Sequence, residues 1–206
     1  ATLAEQYDAI TFEVWLKAAS SYTNARVWNF GNAHSNSMQL LTHFMGNSEI
    51  FTQIYKGTQC VIKEPYETTD RMHHIVTVIS KNQQSIRLYV DGQQTAEGSN
   101  AFSPSQITAT NCWLGRFCDA SRTDVAMWKG WLDEFRIYSF ALSDRQISAN
   151  YQAGPDVVPP IEPLDCAEAI KKGYGYKGDL NQDCIVNFQD LELFLDQWLQ
   201  VVDLGK

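Results

Sequence analysis

Short segments in which apolar and polar residues alternate recur from Ile10 to Tyr138, separated by stretches rich in Gly, Pro, Asn, Asp and Ser. They are Ile10–Leu16, Arg26–Phe30, Met38–Phe44, Ile50–Tyr55, Ile75–Ile79, Ile86–Val90, Cys112–Phe117 and Leu132–Tyr138. A side-chain period of two sends neighbours to opposite faces, so each segment reads as a strand with one face against a core. The spacing, and above all Asp91-Gly92, which suits a tight two-residue hairpin turn, predict an all-β antiparallel sandwich. One helix is expected within it. Ser143-Asp144-Arg145-Gln146 has the form of a capping box ahead of Ile147–Tyr151.

The composition changes sharply after this helix. Gly154 to Pro163 reads Gly-Pro-Asp-Val-Val-Pro-Pro-Ile-Glu-Pro, an extended, proline-rich linker. The expected division is therefore a sandwich domain over 1–153, a linker over 154–164 and a small module over 165–206. With 206 residues and 44% hydrophobic content, the chain can bury a sizeable core. A net charge of −8 argues against nucleic acid and anionic membrane surfaces, both of which recruit basic patches. No run of eighteen or more apolar residues predicts a membrane span. The chain opens at Ala1 without a basic and then apolar stretch, so no signal peptide is expected in the sequence given.

The small module carries the clearest chemical motif. From Asp179 to Asp190, oxygen-bearing side chains fall at loop positions 1, 3, 5, 9 and 12, the spacing by which an EF-hand loop wraps calcium. Asp179, Asn181, Asp183 and Asp190 are the expected side-chain ligands, with the Ile185 carbonyl and with Asn187 directly or through water. Cys184 stands where glycine usually makes the sharp turn, and Asp190 is one methylene shorter than the usual glutamate. Both departures weaken affinity, which suits an extracellular module working against millimolar calcium. Phe188, Leu191, Leu195 and Trp198, with Phe194 and Leu199 beside them, form one apolar face of a helix running to about Gln200. Upstream, Cys166–Lys172 reads as a short entering helix stopped by Gly173.

Two resemblances follow from these residues. The helix, Gly173-Tyr174-Gly175, the run from Gly178 to Leu191 and the Trp198-Leu199 pair resemble the dockerin-like C-terminal modules of secreted planctomycete proteins over about Leu164–Leu199. Cellulosomal dockerins carry two such loops and this chain has one, so a cohesin partner is not expected. Trp131–Ser143, with Ile10–Leu16, His73–Val78 and Ile86–Gly92, resembles laminin-G-like, concanavalin A-like jelly rolls over roughly Ala9–Asp156. That resemblance implies a structural calcium held in part by Asp133. It also implies a strand before Ile10–Leu16 for which little chain is present, leaving a sheet edge unpaired, built from the linker or supplied by another subunit.

Five cysteines in a calcium-binding chain point to disulfides and an oxidising compartment. A Cys166–Cys184 bridge is expected, tying the entering helix to the loop. Cys112 and Cys118 share one predicted strand and meet only if it bends, which leaves Cys60 as the odd thiol. Catalytic residues are not expected, because the Glu-x-Asp-x-Glu type of carboxylate run that glycoside hydrolysis on this fold needs is missing. His73 and His74 should point to opposite faces of a strand, one packed and one exposed. Trp28, Trp113, Trp128 and Trp131 are the candidate sugar-stacking aromatics. Trp131 leads them, because alternation with inward Leu132 turns it outward.

The expected protein is a secreted, non-catalytic binding or adhesion protein. Its jelly roll would recognise carbohydrate or a cell-surface protein, and a calcium-stabilised tail would anchor it. The competing expectation is a structural subunit that assembles with other copies of itself through the tail and the incomplete sheet edge.

Overall fold

A computed structural model describes residues 7–19, 24–66, 71–119, 121–122, 125–159, 178–183 and 185–198. The chain divides into two compact units, Ala1–Pro159 and Pro160–Lys206.

The first unit is a sandwich of two five-stranded antiparallel sheets. Its strands are β1 (Ala9–Ala18), β2 (Arg26–Ala33), β3 (Asn36–Leu41), β4 (Glu49–Lys56), β5 (Thr58–Pro65), β6 (His73–Ser80), β7 (Ser85–Val90), β8 (Gln93–Ser99), β9 (Asn111–Leu114) and β10 (Gly130–Tyr138). One sheet has the order β10-β1-β6-β7-β8 and the other β5-β4-β3-β2-β9. Alternation does what the sequence implies. Ile10, Phe12, Val14 and Leu16 of β1 meet Trp28, Phe30, Met38, Leu40, Ile50 and Ile54 of the other sheet in one core. Polar contact also crosses it, with Thr77 donating to Thr52 at 3.1 Å.

The Asp91-Gly92 turn forms as expected, with φ of 51° and 78°, the pair of positive values that this hairpin requires. The Asp91 carboxylate accepts from Arg71 at 2.7 Å and from the His74 amide at 3.0 Å, and lies 3.0 Å from His73 Nδ1. The Ser143 capping box is present on both sides, and it starts helix α1, Asp144–Ala153. Helix α1 packs on the outer face of the β10-β1-β6-β7-β8 sheet, where Ile147 and Leu142 join Val76, Val78, Tyr89 and Tyr138 in a second apolar cluster. Covering that face corrects the reading of the histidines: both are buried, His73 at 6% and His74 at 0% exposure. His74 lies against Trp15 and Tyr151, with ring centroids 4.9 and 5.8 Å away.

Three further differences concern edges and strand ends. β5 and β8 were not expected from the sequence, and both are edge strands. With a partner on one side only they need little apolar surface, so β8 reads Gln-Gln-Thr-Ala-Glu-Gly-Ser. On the N-terminal side β1 lies inside its sheet between β10 and β6, so among the described residues β10, not β1, is an edge strand of that sheet. β9 stops at Leu114, because Gly115 turns the chain at φ 71°. Cys118 therefore leaves the strand that holds Cys112, and Cys60, Cys112 and Cys118 are all free thiols.

In the second unit, α2 runs Phe188–Trp198, with the Asn187 side chain accepting from the Gln189 amide at 2.7 Å at its start. The Cys166–Lys172 helix and both cysteines of the expected Cys166–Cys184 bridge lie outside the described residues. Among the described residues no helix is long and apolar enough to cross a membrane.

Candidate functional site

Helix α1 packs on the other sheet, yet the outer face of β5-β4-β3-β2-β9 is also largely buried, with Asn29, Gln39 and Gln53 at 0, 2 and 0% exposure. Its side chains are set by a bulge. Arg26 pairs with Leu41 and Trp28 with Leu40, leaving Val27 as an extra residue in β2. In a regular strand Arg26, two residues before Trp28, would share its inward parity. The bulge sends Val27 and Trp28 to the core, both 0% exposed, and turns Arg26 outward.

Beyond the bulge, Trp113, Asn29, Gln39 and Gln53 stand in register across β9, β2, β3 and β4. Arg26 Nε donates to Gln39 Oε1 at 3.1 Å, and Asn29 donates to the Met38 carbonyl at 2.9 Å. Gln53 is fully buried, and its side-chain amide has no hydrogen-bond partner. The β9–β10 connection folds back over this row. Asn29 Oδ1 accepts from the Cys118 amide at 2.8 Å, and Gly115 donates to the Val27 carbonyl at 2.8 Å.

Between the connection and the sheet lies a cavity of about 410 Å³ lined by Asn24, Arg26, His34, Phe117, Arg122, Val125 and Ala126. Arg26 is only 7% exposed. Its guanidinium lies 4.3 Å from the centre of the Phe117 ring, and its Nη1 donates to the Asn24 carbonyl. Burial brings the Arg26 pKa down to about 10, with Arg122 adding to the effect and Cys118 opposing it. Arg26 therefore stays charged at neutral pH. His34 is held below its ordinary value by burial and by the fields of Arg26 and Arg122. The lining is thus cationic, with a neutral imidazole at neutral pH, and includes no carboxylate among the described residues.

The aromatic candidates separate cleanly. Trp28 is core, stacked on Phe12 at 4.2 Å. Trp128 packs against the core and donates to Thr42 at 3.1 Å. Trp113 is half-buried on the face that carries the Asn29–Gln39–Gln53 row, with Arg116 4.2 Å from its ring centre. Trp131 does point outward, at 58% exposure, beneath Lys17. It lies on the outer face of the other sheet, since Lys17 is its partner in β1. Sequence reasoning missed Arg26, His34 and Arg122. The one available signal was a charged residue, Arg26, directly before the apolar pair Val27-Trp28.

Asp133 is exposed on β10 beside a second bulge at Glu134, whose φ is 56°. Among the described residues no three His, Cys, Asp or Glu side chains converge as a metal site. In the second unit, Asp190 is buried and its carboxylate accepts from the amides of Leu180 at 2.7 Å, Asn181 at 3.2 Å and Asn187 at 2.9 Å. The Asn187 amide, with those of Asn181 and Leu180, holds the Asp190 carboxyl below the usual range. Asp183 accepts from the Ile185 amide at 2.8 Å, and its own amide donates to Asp179 at 3.1 Å and Asn181 at 3.0 Å. The expected ligands thus share one hydrogen-bonded loop.

Solved structures that share the sandwich include these three. The CBM40 of a Ruminococcus gnavus IT-sialidase, bound to α2,3-sialyllactose, is 16% identical with a TM-score of 0.60, covering 70% of this chain and 83% of that one. The leech intramolecular trans-sialidase complexed with 2,7-anhydro-Neu5Ac is 17% identical with a TM-score of 0.60, but the 79% of this chain that aligns spans only 25% of the enzyme. Domain 4 of AbnA, an extracellular GH43 arabinanase from Geobacillus stearothermophilus, in complex with arabinotriose, is 18% identical with a TM-score of 0.54, covering 69% of this chain and 66% of that one. At such identities the likeness is one of fold. No curated protein matches the chain. The family model described as the concanavalin A-like lectin/glucanases superfamily matches residues 2–148, and with the two-sheet sandwich this places the chain in that superfamily.

Proposed function

We propose that the chain is a secreted, non-catalytic carbohydrate-recognition protein whose jelly roll binds glycan on the outer face of β5-β4-β3-β2-β9. The observation that carries this reading is the cationic cavity of about 410 Å³ under the β9–β10 connection, with the half-buried Trp113 on the same sheet face. Polar groups held by a rigid sheet, with an aromatic residue at the edge, suit a sugar's hydroxyls and its apolar ring face. Structures of the same fold in complex with sialyllactose and arabinotriose support it. Calorimetry of the purified chain against a panel of oligosaccharides is expected to give saturable binding, weakened on the order of tenfold by Trp113→Ala. Trp131→Ala should leave it unchanged. The opposite pattern moves the site to the outer face that carries Trp131, and no saturable binding to any oligosaccharide removes the reading.

The tail is proposed to be a constitutive calcium staple rather than a sensor. Asp179, Asn181, Asp183, the Ile185 carbonyl, Asn187 and Asp190 make an all-oxygen donor set, the chemistry that a hard cation takes. A Cys166–Cys184 bridge and an anchoring role for the tail belong to the same reading. Millimolar calcium is expected to protect residues 165–206 from limited proteolysis, and EDTA to remove that protection, because a ligand that binds only the folded form stabilises it. Identical digestion with and without calcium would show that the loop is an Asx-rich turn only.

A further inference from the structure

We infer that the cavity takes the carboxylate of an acidic sugar, so that the glycans recognised are those bearing uronic or sialic acids; this rests on the carbohydrate reading above. Arg26 is the reason. It is almost wholly buried, yet no carboxylate among the described residues lies within ion-pair distance of it. Burying a guanidinium without a counter-charge is costly and gives the fold nothing that an apolar residue would not give more cheaply.

The surroundings hold this charge ready. Gln39 fixes Nε, the Asn24 carbonyl fixes Nη1, and the Phe117 ring fixes the plane. Nη2 makes no hydrogen bond among the described residues. A planar guanidinium with its orientation set in advance matches a carboxylate better than a hydroxyl, because charge-assisted bonds are stronger and the geometry is already organised. Exposed Arg122 adds a second positive charge to the lining, and His34 adds a ring nitrogen. Val125 and Ala126 supply apolar wall. The volume of about 410 Å³ falls in the ~300–1,000 Å³ range of small-molecule sites.

The test is calorimetric titration of the full chain with 3′-sialyllactose, trigalacturonate, lactose and 3′-sulfated lactose, at low and at high salt. At least one carboxylate sugar is expected to bind at least about tenfold more tightly than lactose, with the difference shrinking as salt rises. Arg26→Gln should remove that difference. Because Arg26 is buried, Arg122→Gln, at an exposed position, is the companion variant: with an unchanged melting temperature, it should weaken carboxylate-sugar binding several-fold and lactose binding less. Lactose binding as tightly as both acidic sugars, or insensitivity to both substitutions, overturns the carboxylate assignment and leaves the carbohydrate reading standing. Binding of the sulfated sugar with neither carboxylate sugar also overturns it. Binding of none of the four, nor of any other oligosaccharide, overturns both.

Discussion

Glu13→Ala is expected to cost the jelly roll about 3–5 kcal/mol, the usual penalty for removing one partner of a buried ion pair. Glu13 is fully buried between β1 and α1. Its Oε1 accepts from Arg136 Nη1 at 2.9 Å and lies 3.4 Å from His74 Nε2, while Oε2 accepts from Asn150 Nδ2 at 2.6 Å. Asn150 also donates to the Tyr138 hydroxyl at 3.1 Å. Truncation leaves a largely buried guanidinium and a buried imidazole facing a void, and it releases the side chain that holds α1 to the sheet. A fall in melting temperature on the order of 10 °C follows for a domain of this size. Glu13→Gln, which keeps hydrogen-bonding capacity but not charge, should fall between.

The same residue sets an acid limit. Burial pushes the Glu13 carboxyl up, but the close approach of His74, the hydrogen bond from Asn150 and the charge of Arg136 outweigh it and leave the group below its ordinary 4.5. A carboxyl whose folded pKa is depressed contributes its stability fully above its unfolded pKa. That contribution is lost as pH falls through the folded value. Urea denaturation across the acid range should therefore show wild-type stability declining below about pH 4, with a shallower decline in Glu13→Ala. A loss of less than about 1 kcal/mol at neutral pH would mean that α1 is held by its apolar contacts alone.

Trp28→Ala should be comparably damaging, at about 3–5 kcal/mol for a large aromatic removed from a packed core. Trp28 belongs to the sheet opposite Phe12, and their rings stack at 4.2 Å with 24° between planes, with Phe30 edge-on to Trp28 at 6.0 Å. The pair joins the two sheets near the middle of the sandwich. Its loss also releases the Val27 bulge that turns Arg26 outward, so ligand binding should weaken in step with folding. Trp28→Phe, which keeps a stacking ring, should cost less than half as much. Chemical denaturation of the two variants checks both values. A cost near zero for Trp28→Ala would show that this part of the core collapses around the space left behind.

Much of the architecture was legible from local rules. The inward series Ile10, Phe12, Val14 and Leu16, the positive-φ turn at Asp91-Gly92 and the Ser143–Gln146 cap each depend on residues close in sequence, and each appears in the structure. The edge strands β5 and β8 were not legible, because an edge asks too little of its side chains to leave an apolar pattern. The expectation of one exposed histidine failed for a related reason. Strand alternation says which face a residue takes but not whether a helix distant in sequence will cover that face, and Tyr151 of α1 does.

The candidate site shows the same division. The outward direction of Trp131 followed from alternation alone and holds at 58% exposure. That Arg26, His34 and Arg122 line one cavity depends on an extra residue at Val27, a hairpin at His34 and a connection folding back after Gly115. None of these is a periodic signal. The amino-acid sequence by itself determined eight of the ten strands, the helix cap and the oxygen-rich loop, because turn geometry and side-chain period are local demands. Only the tertiary structure decided which sheet face α1 covers and which charges line the cavity on the other, because register, bulges and the docking of α1 are settled by packing between segments far apart in the chain.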